Sequence, residues 1–406
     1  MKLRIILYSG KGGVGKTSVA AATGYQSAAL GHKTLVMSLD VAHSLADCFD
    51  IKRDLMDINR GDPIKVNDKL WIQELDVQEE VERNWGEVYE YISTLFNVTG
   101  LDEVMAEELA ILPGMEEVCG LLYINKYVKE KAFDVIILDC APTGESMRFI
   151  SMPSALEWYM RKIFTIERNV ARVIRPVIKT VSSIPMPEDS YFAALKRLFE
   201  RLEGVNELLI DPKITSARLV TNAEKMVVKE TQRAFMYFCL YGLCVDTVVI
   251  NRLIPDLVQD AYFQKWKEMQ SHYVEQIEEY FAPIPILKAS LFNDELVGLK
   301  KIAAMGDLLF KDDDPTRVFY AEQPYKYVKK NGGYKLHITI PFAKKEDIDL
   351  HAAGDELIIR LGSFRRHIPL PRALLNTAPS SAKIEDNTLV LSFGDQTHGR
   401  KKKRDS

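Results

Sequence analysis

Two lysines, Lys11 and Lys16, stand in "GKGGVGKT" at residues 10–17, and they carry the plainest chemistry in this 406-residue chain. The stretch satisfies G-x-x-x-x-G-K-[ST], directly after an apolar strand pattern and directly before a helix of small residues, which is the context the motif requires. Glycines let successive backbone N–H groups close around phosphates, and the helix that follows adds its N-terminal dipole. Gly10, Gly12, Gly13, Val14, Gly15 and Ser18 therefore belong to a phosphate cradle. Lys16 is expected to reach the β- and γ-phosphates of a nucleotide, and Thr17 to offer its hydroxyl to Mg²⁺, so the expected cofactors are ATP and Mg²⁺. Lys11 is surplus to that motif. A carboxylate, Asp40, ends the apolar run "TLVMSL". There it could orient or deprotonate a water, although a helix N-cap is the plainer role for such an aspartate.

These residues need elements to hold them, and the chain supplies them in order. The runs "LRIILYS", "TLVMSLD", "DVIILD" and "DTVVINRL" alternate with longer helical patterns, which is the sign of a parallel sheet covered by helices. The reading is an α/β nucleotide domain over 1–312, with a helical subdomain inserted at about 80–130 and 150–205. A linker, 313–326, is acidic at its start and holds two prolines nearby. From there the pattern changes to period two: Tyr334, Leu336, Ile338 and Ile340 alternate with Lys335, His337 and Thr339. That predicts an all-β sandwich over 327–396, followed by a basic disordered tail, 397–406, ending in "RKKKRDS".

Composition narrows the class. A net charge of −4 gives no overall attraction to nucleic acid, and no specific nucleic-acid partner is expected. Five scattered cysteines, with no C-x-x-C pair, suggest reduced thiols in the cytoplasm. No signal peptide fits ahead of the loop, and the longest apolar region, 234–250, is interrupted by Gly242 and Asp246.

The K-G-G-x-G-K-T form of the loop resembles the family that contains arsenite-pump ATPases, guided-entry targeting ATPases, septum-site ATPases and nitrogenase iron proteins. The resemblance implies that Lys11 crosses a homodimer interface to the partner's phosphates and acts as an arginine finger does. A solvated loop lysine is the alternative. "SLDVAHSLADCF", 38–49, is similar to the first switch of the guided-entry and arsenite branches, with Val41 where proline is usual. "LDCAPTGESMR", 138–148, is similar to the second switch; by that resemblance Asp139 holds Mg²⁺ through water and Gly144 offers its N–H to the γ-phosphate. Glu145 replaces the usual histidine. "VINRLIP", 249–255, resembles the strand whose asparagine, here Asn251, recognises adenine; a turn-stabilising asparagine is the other reading. "PIPILKASLF", 283–292, resembles the later loop that closes over the base and brings in Pro285.

Absent residues sort the branches. The guided-entry dimers of fungi and animals carry C-x-x-C after the adenine strand, whereas "DLVQDAYFQKWKEMQ" here has no cysteine, so no structural zinc is predicted. The C-terminal stretches "YKLHITIPF", "FRRHIPLP" and "AKIEDNTLVLSF" resemble the α-crystallin domain of small heat-shock proteins. The helical stretch 154–181 carries Leu156, Met160 and Phe164 at helical spacing, and Trp85, Ile92 and Phe96 could face it. In guided-entry proteins such helices form an apolar groove for a transmembrane segment; an ordinary core stripe is the competing reading. The resemblance thus implies a cytoplasmic homodimeric ATPase that binds a hydrophobic protein helix or other apolar ligand, with a membrane receptor and transient membrane association both admitted. Two alternatives stay open: a switch or chaperone acting through the β-sandwich, and an arsenite-stimulated ATPase.

Overall fold

A computed structural model describes residues 3–40, 44–52, 59–76, 79, 115–173, 189–330, 333–353, 355–375 and 377–394. The apolar runs of the nucleotide domain become one sheet: β1 (Arg4–Ser9), β2 (Thr34–Ser38), β3 (Ile64–Lys65), β4 (Leu70–Glu74), β5 (Val135–Asp139), β6 (Thr215–Thr221), β7 (Val245–Leu253) and β8 (Ile286–Ser290). Their order is β3-β4-β2-β5-β1-β6-β7-β8. Every pairing is parallel except that of β3 with β4. β1, β2 and β5 are buried along their whole length, which is why they read as unbroken apolar runs.

The helices are α1 (Lys16–Ala29), α2 (Ser44–Cys48), α3 (Met115–Glu130), α4 (Thr143–Val173), α5 (Asp189–Leu202), α6 (Val205–Ile210), α7 (Lys225–Tyr241), α8 (Ala261–Phe281) and α9 (Leu299–Phe310). Successive β1 residues serve opposite faces, as the pleat dictates. Ile6 and Tyr8 join the core beneath α1 and α9, with Val19, Ala20, Ile302 and Met305. Ile5 and Leu7 join the core beneath α3 and α7, with Leu121, Ile124 and Phe238. Parallel strands deliver all their C-terminal ends to one edge, where α/β sheets bind ligands.

The segment expected as a linker is anchored rather than loose. Asp246 at the start of β7 receives both Arg4 Nη2, at 2.9 Å, and Arg218 Nε, at 3.1 Å, with all three side chains buried. The same guanidiniums donate to the carbonyls of Thr316, at 2.9 Å, and Pro315, at 2.8 Å. A buried charge is tolerated only when it is paired and hydrogen-bonded, and here the backbone of the segment completes the set.

Beyond it, β9 (Tyr325–Lys330), β10 (Gly333–Thr339), β14 (Ser381–Glu385) and β15 (Thr388–Phe393) form one antiparallel sheet. β11 (Ile348–Ala353), β12 (Glu356–Leu361) and β13 (Phe364–Pro369) form a second. The period-two residues Leu336, Ile338, Leu357, Ile359, Leu389 and Leu391 are buried and fill the sandwich. The architecture is the expected one: a mostly parallel sheet with helices, then an all-β sandwich. The two cores are continuous, because the sandwich lies on α7 and α8 with Phe342 among Phe235, Tyr280 and Phe281.

Candidate functional site

The loop between β1 and α1 sits on the C-terminal edge of the sheet and cannot be built from other residues. A Cβ on Gly10 would lie 2.2 Å from the Val220 carbonyl oxygen. Gly15 has φ +94°, and a Cβ there would lie 2.3 Å from Asn251 Nδ2. Gly15 is also the N-cap of α1. It has no side chain to cap the helix, and no acid stands in the first turn. The unpaired N–H groups of that turn and the buried Lys16 therefore face the same space, a ready site for an anion.

Asn251, at the end of β7, supports the loop from below. Its Nδ2 donates to the Val14 carbonyl at 2.9 Å, and its Oδ1 accepts the Arg252 N–H at 2.9 Å. Arg252 has φ +59°, so the strand turns sharply there. In this conformation the asparagine braces the loop and its own turn; of the two readings available from sequence, these contacts are those of the turn-stabilising one.

Asp139 ends β5, alongside Ser38 of β2 and Tyr8 of β1. It is 1% exposed, and neither carboxylate oxygen has a hydrogen-bond partner. Burial raises its pKa to about 6; Thr17 and the Lys16 ammonium pull it down, while Asp40 and Glu74 add to the rise. A buried carboxylate without a well-formed hydrogen bond is rare, and here the Thr17 hydroxyl and the Lys16 ammonium only partly offset its burial. Thr17, on the first turn of α1, places Oγ1 3.3 Å from Ser44 Oγ on α2. Asp40 is partly exposed just past β2, with its N–H on Ser38 Oγ at 3.2 Å. Lys11 is partly exposed on the loop. Lys11, Lys16, Thr17, Asp40, Asp139 and Asn251 thus share one edge.

Gly144 lies in the first turn of α4, directly after the β5 end. Glu145 meets Arg148 Nη2 at 3.7 Å, and Arg148 Nε donates to Glu117 Oε1 at 2.9 Å. Glu116 and Glu117, with Glu145 and Leu39, line a small cavity behind the ends of β2 and β5. Burial raises the Glu116 pKa, and Glu117, Glu145 and Asp40 raise it further. Cys140 is buried, and burial pushes its thiol up, consistent with a packed small residue.

Pro285 is not brought to this edge. Its carbonyl accepts the Val248 N–H at 3.1 Å, and the parallel register sets Ile250 beside Lys288. The proline therefore sits at the N-terminal end of β8. The residues that follow β8, beginning with Leu291, whose N–H reaches the Leu253 carbonyl at 2.7 Å, occupy the nucleotide edge instead. Val41, Trp85, Ile92 and Phe96 lie outside the described residues, as do the side chains of Met160 and Phe164. Leu156 is partly buried and, with Leu121, Pro153, Phe199, Leu202 and Val205, lines a cavity of about 470 Å³.

Sequence reasoning missed Glu74 and Glu230. Glu74 is buried at the end of β4 and accepts the Ala46 N–H of α2 at 2.9 Å, which ties α2 to the sheet edge. Its signal was legible, since "LWIQE" is an apolar run closed by an acid, as "VIILD" is. Glu230 accepts Thr143 Oγ1 at 2.8 Å at the start of α4; it sits in an ordinary helix, where no local pattern marks it.

Among the described residues no group of three or more His, Cys, Asp or Glu is placed to hold a metal ion. Among them, too, no helix is long and apolar enough to cross a membrane.

Residues 3–311 match the family model described as anion-transporting ATPase, and residues 331–393 match the HSP20-like domain found in ArsA. A putative arsenical pump-driving ATPase 1 of Aquifex aeolicus (strain VF5) is 50% identical over 393 residues, 96% of this chain and 99% of that one. A putative arsenical pump-driving ATPase of Chlorobaculum tepidum is 37% identical over 401 residues, 98% of each chain. A protein named ATPase GET3, from Mycosarcoma maydis, is 30% identical over 314 residues, 76% of this chain and 90% of that one.

Proposed function

Because the chain belongs to the anion-transporting ATPase family, carries the family's HSP20-like domain and hydrolyses ATP, we propose that it works as a homodimer whose nucleotide state opens and closes an apolar groove for hydrophobic helices. In this reading Lys16 binds the phosphates of its own subunit, and Lys11 reaches those of the partner. Thr17 and Asp139 hold a Mg²⁺ ion that arrives with the nucleotide, Asp139 through water; the ion neutralises charge on the transferred phosphoryl group. Asp40 orients the attacking water. Asn251 keeps the loop seated and turns toward adenine when the base arrives.

What supports the coupling is the course of α4. It begins at Thr143 and Gly144, in the second switch, and Pro153 and Leu156 further along it form a wall of the 470 Å³ cavity. The rim carries Glu157, Glu200, Glu203 and Glu207, so the ligand that fits best is an apolar helix with basic flanks. ATP can drive closure only by binding the closed dimer more tightly than the open one, and a lysine shared across the interface provides that difference. The test is binding of a labelled transmembrane peptide with lysine flanks to the full chain, with and without a non-hydrolysable ATP analogue. Leu156→Asp should abolish nucleotide-dependent binding of the peptide while the variant stays folded and still binds ATP. Equal binding by the variant would overturn the groove assignment.

A second reading comes from the names of the relatives in Aquifex and Chlorobaculum, which concern arsenicals. The observation that favours it here is that Cys239 and Cys244 line one cavity between the ATPase and the sandwich. Both are buried, and burial pushes the Cys244 thiol up to about 12, against thiolate formation. Titrating ATP turnover with arsenite or antimonite separates the readings: stimulation that is lost in Cys239→Ser favours the metalloid, and a flat response favours the groove.

A further inference from the structure

The HSP20-like domain is fastened to both helices that descend from the nucleotide edge, and the fastenings close a ring. At the nucleotide edge, Thr143 of α4 donates to Glu230 of α7 at 2.8 Å, and Thr143 is buried. At the opposite edge, α7 ends at Gly242, which adopts φ +85° and leaves the last carbonyls of the helix to be satisfied. Arg366 of β13 satisfies one of them, donating Nη1 to the Leu240 carbonyl. Arg366 is itself buried, with its guanidinium 4.7 Å from the Tyr325 ring centroid. Beside it, the Tyr241 hydroxyl donates to the Arg365 carbonyl at 2.9 Å, and the Tyr237 and Phe364 rings lie 4.1 Å apart.

The return path runs through β12. β12 pairs with β13, Ile359 facing Arg366 and Glu356 facing Pro369. Glu356 is buried, and its Oε2 accepts Trp158 Nε1 of α4 at 3.0 Å and meets His367 Nδ1 at 3.0 Å. The Trp158 and His367 rings are 5.2 Å apart. At 1.5 Å rise per residue, Trp158 stands about 22 Å along α4 from Thr143. The ring is therefore α4, Glu230, α7, Arg366, β13, β12, Glu356 and α4 again.

We infer that Glu230 and Glu356 are positioning residues for ATP hydrolysis: they hold the two ends of one stretch of α4, and the HSP20-like domain sets where the second switch sits. Two helices packed side by side and tied at both ends cannot change their angle at one end alone, because close-packed interiors transmit displacement rather than absorb it. In the proposed function Gly144, next to Thr143, faces the γ-phosphate, and this inference rests on that reading: the residue moves as the γ-phosphate comes or goes. That movement carries through the ring to β12 and β13, so the domain fixes the geometry from which hydrolysis proceeds. Both acceptors are carboxylates, and hydrogen bonds to charged groups are the stronger kind. This ring concerns hydrolysis alone, whatever occupies the groove.

The experiment uses the full chain. Trp158→Phe removes the donor and keeps an aromatic ring, Glu356→Leu removes the acceptor, and Glu356→Gln restores it as an amide oxygen; Glu230→Leu and Glu230→Gln do the same at the other end. The expected result is a kcat for ATP lowered about threefold to tenfold in Trp158→Phe, Glu356→Leu and Glu230→Leu, with KM within about twofold and wild-type kcat in the two Gln variants. Amide exchange across 356–369 should change when Mg·ATP is added to the wild type and should stop responding in Glu230→Leu. Should Glu356→Leu fail to fold, Trp158→Phe carries the same test. Wild-type or higher kcat in folded Trp158→Phe would overturn the inference, and so would exchange across 356–369 that ignores nucleotide.

Discussion

Replacing Asp139 by Asn tests the site in the absence of any nucleotide or metal. The carboxyl is 1% exposed and without a hydrogen-bond partner, and burial lifts its pKa from 3.8 to about 6. The folded state therefore holds this proton more tightly than the unfolded chain. Unfolding releases the proton between about pH 4 and pH 6, so stability falls as pH rises through that window. Below about pH 4 the residue costs nothing by titration. Above about pH 6 the full cost applies: the rise from 3.8 to about 6, at 1.36 kcal/mol per pH unit, amounts to about 3 kcal/mol. Asn keeps the shape and removes the titration. Urea unfolding of both proteins in chelator, at fixed ionic strength, should show Asp139→Asn gaining on the wild type from about pH 4 to about pH 6 and holding the gain above. The slope is the readout, since an amide in the same place carries its own pH-independent burial cost. ATP hydrolysis should be lost in the same variant. A stability difference that does not vary with pH, or one in which the wild type gains as pH rises, would refute the claim that the fold buries the Asp139 carboxyl without full compensation.

Three other substitutions test the remaining parts. Lys11→Ala should keep the fold and lose about 10³-fold in turnover, as removal of a finger residue does; mixing it with Lys16→Ala should restore part of the activity through mixed dimers, and undiminished turnover in Lys11→Ala alone would end the homodimer reading. Asp40→Asn should still bind ATP and should lower hydrolysis by about 10²- to 10⁴-fold, measured in a single turnover; normal turnover would mean another group orients the water. Asp246→Asn leaves Arg4 and Arg218 buried against a neutral amide, and should destabilise the chain by about 3–5 kcal/mol in urea, with loss of ordering in 315–319 visible by amide exchange.

What the sequence made legible follows from range. The loop, the strand runs and the acid at the end of β5 are local patterns, and a buried parallel strand must be apolar until it reaches the edge where the ligand binds. Asp139 and Asp40 were readable for that reason, and Glu74 obeys the same rule. Pro285 failed because a motif fixes order along the chain but not level along a strand; the register of β7 with β8 sets the proline beside Val248, below Asn251. Glu230, Glu356 and Arg366 carried no local signal at all. Each is an ordinary residue of its own helix or strand, and its role exists only where two distant elements meet.

That distinction bears on where the ATPase ends. By sequence, the change to period two after residue 326 marks a boundary, and the sandwich looks like an appendage. In the fold, Arg366 caps α7, Phe342 fills a space among Phe235, Tyr280 and Phe281, and Cys244 Sγ donates to the carbonyls of Tyr320 and Glu322. Cutting the chain at about residue 320 would uncover three aromatic side chains and leave the Leu240 carbonyl to water. It would also free Trp158 from Glu356, and with it the middle of the helix that begins at the second switch. Burying an aromatic side chain stabilises by about 1.5–3 kcal/mol, so the truncated protein would be a weaker ATPase domain with a loosened switch, not the same enzyme without its tail. Point substitutions at Trp158 and Glu356 leave that apolar contact in place. For this reason they, and not a deletion, can tell whether the HSP20-like domain takes part in hydrolysis.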